Sequence, residues 1–108
     1  MSIRDLSAPL PKTAPDYLRW VRSLPSGVSG LIGCEAHHRI GGRYSQHKTS
    51  DFEAMPLTTH EHYRLHQGME DFVKAFGKTE KEIICETLLE AIRQGVLVFD
   101  AKAARELA

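Results

Sequence analysis

Six histidines occur in the 108-residue chain, and all of them fall between residues 37 and 66. His62 and His66 stand four apart in a stretch whose apolar residues recur at helical steps. That spacing puts both imidazoles on one helix face, one turn and about 5.4 Å of rise apart. Such a pair offers two nitrogens to one metal ion, and a third ligand from elsewhere makes a usable site with a position left open. The adjacent pair His37 and His38 can supply it. Neighbouring side chains of an extended segment point to opposite faces, so His37 or His38 can face the helix, but not both. The one left over need not bind metal. A neutral imidazole beside the substrate can take a proton from water if its other nitrogen is held, and Asp51 is a natural partner for it. His47 and His60 read as incidental, since His60 lies off the face shared by His62 and His66.

Arg39, Arg43, Lys48 and Arg64 flank these histidines, and Gly41–Gly42 permit close approach of a backbone. An ion that stabilises a leaving oxygen, a base that activates water and a cationic rim for an anion together meet the needs of phosphodiester hydrolysis.

The elements that must position these groups can be read along the chain. Residues 1–13, with Pro9 and Pro11, read as a loose arm, and 14–108 as one domain. "APDYLRWVRSL" (14–24) predicts a helix with Leu18 and Val21 on one side and Pro25 after it. "PSGVSG" (25–30) is turn material. "LIGCEAHHRI" (31–40) reads as extended, in one strand or in two with a bend at Gly33. A polar loop (41–51) leads to "FEAMPL" (52–57), a short strand that Pro56 confines to an edge or a strand end. From Thr58 or Thr59 the pattern is helical as far as Gly77, with Leu65, Met69, Phe72, Val73 and Phe76 recurring and Met69, Phe72 and Phe76 assigned to the core. "TEKE" (79–82) is a capping box with Thr79 as N-cap. The helix after it turns Ile83, Ile84, Leu88, Ala91 and Ile92 inward and ends near Gly95. "VLVF" (96–99) reads as a short strand or packed tail, and Asp100 as the cap of a last helical turn. The expected class is α+β, with helices covering a small hairpin that would be marginal alone.

Composition narrows the classes. The chain is 42% hydrophobic and 26% charged, which excludes a disordered polymer. Lys+Arg and Asp+Glu are both 14, so a strongly basic nucleic-acid tail is excluded while a local basic patch is not. The two cysteines, Cys34 and Cys85, form neither a disulfide framework nor a CxxC pair. A reduced, cytoplasmic setting is expected. No signal-length apolar run opens the chain, and none approaches the roughly 20 residues of a membrane span.

Read together, "YLRWVRSLP" (17–25), "EAHH" (35–38), "KTSD" (48–51), "MPL" (55–57) and "HEHYRLH" (60–66) resemble the HNH endonucleases, the ββα-metal or His-Me finger nucleases. The likeness is greatest to the phage and prophage branch that includes the recombination-enhancement (Ref-like) nucleases. It covers about residues 16–76. It implies a ββα-metal core over about 31–76, a C-terminal helix over about 79–94, and metal-dependent hydrolysis of DNA. By the same resemblance His37 is the first metal ligand, His62 the second, and His66 the third ligand or a phosphate contact. His38 is the general base and Asp51 orients it. Lys48 and Arg39, with Arg43 and Arg64 near them, face DNA. One divalent ion (Mg²⁺, Mn²⁺ or Zn²⁺) is implied.

The chain departs from that family at its zinc knuckle. Ser26, Ser29 and Thr58 stand where the family has cysteines, and Cys34 is not at a knuckle position. Serine and threonine are poor zinc ligands, so no structural zinc is expected and the hairpin must be held by packing. The helical "HH" is altered too: Glu61 replaces its first member, with His60 one place earlier. Two other readings remain from the residues alone. One is a non-catalytic DNA- or protein-binding module on the same fold. The other is a structural zinc domain closed by His37, His38, His62 and His66.

Overall fold

The computed structural model describes residues 13–40 and 49–98. Residues 1–12 of the expected arm, the loop residues Arg43, His47 and Lys48, Phe99 and the Asp100 cap lie outside the described residues. Among the described residues, six α-helices and strands follow in order, with a 3-10 turn (Asp51–Glu53) before the second strand: α1 (Pro15–Arg22), β1 (Glu35–His38), β2 (Ala54–Leu57), α2 (Thr59–Gln67), α3 (Met69–Phe76) and α4 (Glu80–Arg93). The α+β class holds, with two strands and four helices among the described residues.

The sheet is one antiparallel pair in which Glu35 stands opposite Leu57, Ala36 opposite Pro56, His37 opposite Met55 and His38 opposite Ala54. Cross-strand partners share a face, so the pleat sorts the hairpin. Glu35 and His37 lie with Met55 and Leu57, which join Leu65, Phe72, Ile83 and Ile84 in the main core. Ala36 lies on the other face and packs against a second cluster built on Tyr17, Val21 and Ala91. All four residues of β2 are buried, because helices cover the hairpin as its marginal size requires.

Several boundaries differ from the pattern. Helical structure after Thr58 is not continuous: Gly68 is extended (φ 169°, ψ 126°) and separates α2 from α3. Periodicity in apolar positions continued through a backbone break, which it cannot detect. Met69, at the start of α3, is accordingly 39% exposed, while Phe72 is fully buried and Phe76 half-buried. On α1 the buried pair is Tyr17 and Val21, with Leu18 half-buried. On α4 Ile83, Ile84 and Ala91 are buried, Leu88 is half-buried, and Ile92 is exposed. Thr87 takes an inward place instead, and its hydroxyl donates to the Ile83 carbonyl at 2.7 Å. The Thr79 cap forms as its sequence predicts, accepting from the Glu82 amide at 3.2 Å. Residues 96–98 are not strand.

The turn at 26–29 fits against β2 and α4 only because residue 27 is glycine. Its amide donates to the Pro56 carbonyl at 3.0 Å, and an added Cβ would come within 2.7 Å of Ile83 Cγ2. Ile83 is fully buried and β-branched in a helix, so it has one rotamer and cannot yield. Gly27→Ala is therefore expected to destabilise the domain by about 1–3 kcal/mol, measured as a lower midpoint in urea at unchanged m-value. An unchanged midpoint would contradict this packing.

Candidate metal centre and its general base

Strand β1 sends its two histidines to different neighbourhoods. His37 is 5% exposed and faces α2. Its ring centroid lies 4.0 Å from that of His62 and 5.3 Å from that of His66. His62 and His66 share a face of α2, with centroids 4.8 Å apart. One nitrogen from each ring can be chosen so that all three lie within 4.8 Å of one another, and the group could hold a metal ion. Two nitrogens on one tetrahedral zinc, each at about 2.0–2.1 Å, stand about 3.3 Å apart. His62 Nε2 and His66 Nε2 are already at 3.0 Å. The donor set is all imidazole, which suits zinc and the later first-row metals better than magnesium. His37 is buried, His62 intermediate and His66 exposed, so the trio opens toward solvent on the His66 side.

His38 is the last residue of β1 and points the other way. Its Nε2 lies 2.6 Å from Asp51 Oδ1, in the 3-10 turn Asp51–Glu53 that leads into β2. The second carboxylate oxygen, Asp51 Oδ2, accepts the Ala14 amide at 2.7 Å, at the N-terminus of α1. The carboxylate is thus fixed from two sides. With Nε2–H donating to Asp51, Nδ1 of a neutral His38 carries the lone pair. That is the tautomer a base requires. This placement also separates His38 from the trio, so a site closed by all four histidines does not form.

The proposed cationic rim is distributed differently from its sequence order. Arg39 pairs with Glu53 at 3.3 Å, both partly buried. The Arg64 guanidinium lies 5.7 Å from the Phe76 ring centre, within cation–π range. Both are engaged within the fold. His60 is exposed and outside the trio.

Two acidic residues outside the expected set matter here. Glu35, which shares a strand face with His37, places Oε1 3.3 Å from His62 Nδ1. Glu61 is 3% exposed. Burial would push its carboxyl up, yet hydrogen bonds from Ser26, Ser29 and Thr58 outweigh that and hold it below the usual carboxylate range. Ser26 Oγ donates to Glu61 Oε1 at 2.6 Å, and the Thr58 amide donates to the same oxygen at 2.9 Å. Ser26 Oγ in turn accepts the amides of Val28 and Ser29, both at 3.1 Å. Ser26, Ser29 and Thr58 therefore meet around a carboxylate, so the hairpin is held by buried hydrogen bonds as well as packing. A signal was present: Thr58-x-x-Glu61 is a capping box of the same form as Thr79-x-x-Glu82. Burial, and then the Glu61 charge, push the nearby Cys34 thiol up, which keeps it protonated and a poor ligand.

Comparison with known families bears on most of the chain. The family described as "Protein of unknown function (DUF968)" matches residues 10–95. The chain belongs to the DUF968 family. No curated protein and no solved structure matches it significantly. The DUF968 match spans every element that supplies the trio, the His38–Asp51 pair and the Glu61 cluster. No helix among the described residues is long and apolar enough to cross a membrane.

Proposed function

We propose that the protein is a divalent-metal-dependent endonuclease of the HNH type that hydrolyses DNA phosphodiester bonds, as the phage and prophage nucleases it resembles do. One observation carries this reading: a four-residue strand sends His37 to two helical imidazoles and the next residue, His38, to a carboxylate.

The alternation suits in-line displacement, in which the attacking water and the leaving oxygen lie on opposite sides of phosphorus. His37, His62 and His66 would hold the ion. Bound there, it supplies Lewis-acid stabilisation of charge on the phosphate and the departing oxygen. His38 Nδ1 takes the proton of the attacking water. Asp51 keeps Nε2 protonated and steadies the imidazolium that results.

Incubation of supercoiled plasmid with the protein and Mn²⁺, Mg²⁺ or Zn²⁺ tests this. Open-circular and then linear DNA is expected, and a chelator should stop it. The second reading, a non-catalytic binding module, is favoured by zero net charge and by the engagement of Arg39 and Arg64. A protein that binds DNA but leaves it intact with every metal would establish that reading instead.

A further inference from the structure

We propose that Glu35 is the positioning residue of the three-histidine centre, fixing His62 through Nδ1 so that Nε2 is the nitrogen presented to the ion. This rests on the metal reading above. Glu35 opens β1 two residues before His37, and a period of two puts both on the face that meets α2. Its Oε1 lies 3.3 Å from His62 Nδ1, while His62 Nε2 lies 3.0 Å from His66 Nε2. The two nitrogens of an imidazole point away from each other. A carboxylate anchored on one therefore aims the other into the trio.

A neutral imidazole carries a single ring proton, and an anion beside Nδ1 keeps it there. The lone pair then sits on Nε2, where ligation needs it. Three neutral imidazoles offset none of an ion's double charge. A carboxylate hydrogen-bonded behind one of them strengthens that donor and supplies negative charge one layer out. Glu35 is half exposed, at 51% for the side chain, so it contributes little to the packed core and its role can be read without unfolding the domain.

The test is titration of the full chain with Co²⁺, followed by the visible d–d bands, for the wild type, Glu35→Ala, Glu35→Gln and His62→Ala. Melting of each metal-free protein is recorded alongside. Glu35→Ala is expected to weaken Co²⁺ binding about 10–100-fold, with band positions and metal-free melting unchanged. Glu35→Gln, whose amide oxygen still accepts from Nδ1–H, should recover most of the loss. Wild-type affinity in Glu35→Ala overturns the proposal. So does loss of the metal as complete as in His62→Ala with shifted bands, which would make Glu35 a ligand. A wild type that takes up no Co²⁺ overturns the three-histidine centre itself, and the positioning role with it.

Discussion

His38→Ala is expected to lower plasmid cleavage by about a hundred- to ten-thousand-fold while Co²⁺ or Zn²⁺ uptake stays at the wild-type level. The separation follows from the pleat. His38 is turned toward Asp51 at 2.6 Å, away from the rings of His37, His62 and His66, whose centroids are 4.0–5.3 Å apart. Removing it takes away the proton acceptor and leaves every candidate ligand in place. His62→Ala gives the complementary result. It deletes the ring nearest to His37 and should weaken metal binding together with cleavage, while the His38–Asp51 pair is untouched. The two variants are compared by single-turnover nicking at saturating metal and by direct metal titration. If His38→Ala lost the ion, the assignment of separate roles to the two neighbours would fail. If it cut as fast as the wild type, water activation would have to come from another group.

How much of this was legible in the residues depended on the range of the interactions. The i,i+4 pair and the period-two alternation at His37–His38 are local geometry, and they carry into three dimensions unaltered. Asp51 was reachable because a base needs an anchor and the loop held one carboxylate near the following strand. The strand order and the Thr79 cap were legible for the same reason. The break at Gly68 was not, since its flanking apolar residues keep helical spacing across it. The state of Arg39 and Arg64 was also hidden. Whether a cation is offered to solvent depends on Glu53 and Phe76, which neither charge nor position in sequence reveals. Thr87 is inward because it stands four residues from both Ile83 and Ala91 on the buried row of α4, whereas Ile92, one residue past Ala91, falls off that row. Choosing apolar residues alone skips a threonine that the period includes. The partner of Glu35 lies 27 residues away, beyond any local pattern, while for Glu61 the Thr58 capping box is local and only the tie to Ser26, 35 residues away, is not.

Glu61→Ala should destabilise the domain by about 3–5 kcal/mol, as much as truncating a fully buried core side chain. Hydrogen bonds to a charged group contribute about 1.5–3 kcal/mol each, and a buried donor left without its acceptor costs about 1–3 kcal/mol. The variant would take the acceptor from two donors, the buried Ser26 hydroxyl at 2.6 Å and the partly buried Thr58 amide at 2.9 Å. It would also remove one half of the α2 capping box. The turn at 26–29 would lose its tie to the start of α2, the helix that carries His62 and His66. Set against a total stability of about 5–15 kcal/mol, the loss corresponds to a fall in Tm of at least about 12 °C for a domain this size. Glu61→Gln separates the hydrogen bonds from the bulk of the side chain. Its amide oxygen can still accept from Ser26 and Thr58, so it should cost less than half as much as alanine. Thermal unfolding of the metal-free proteins decides the matter, because it removes any contribution from ligand binding. If glutamine and alanine were equally damaging, the charge itself would be indispensable to the cluster. If both melted with the wild type, the Ser26–Thr58–Glu61 network would not be what holds the hairpin to α2.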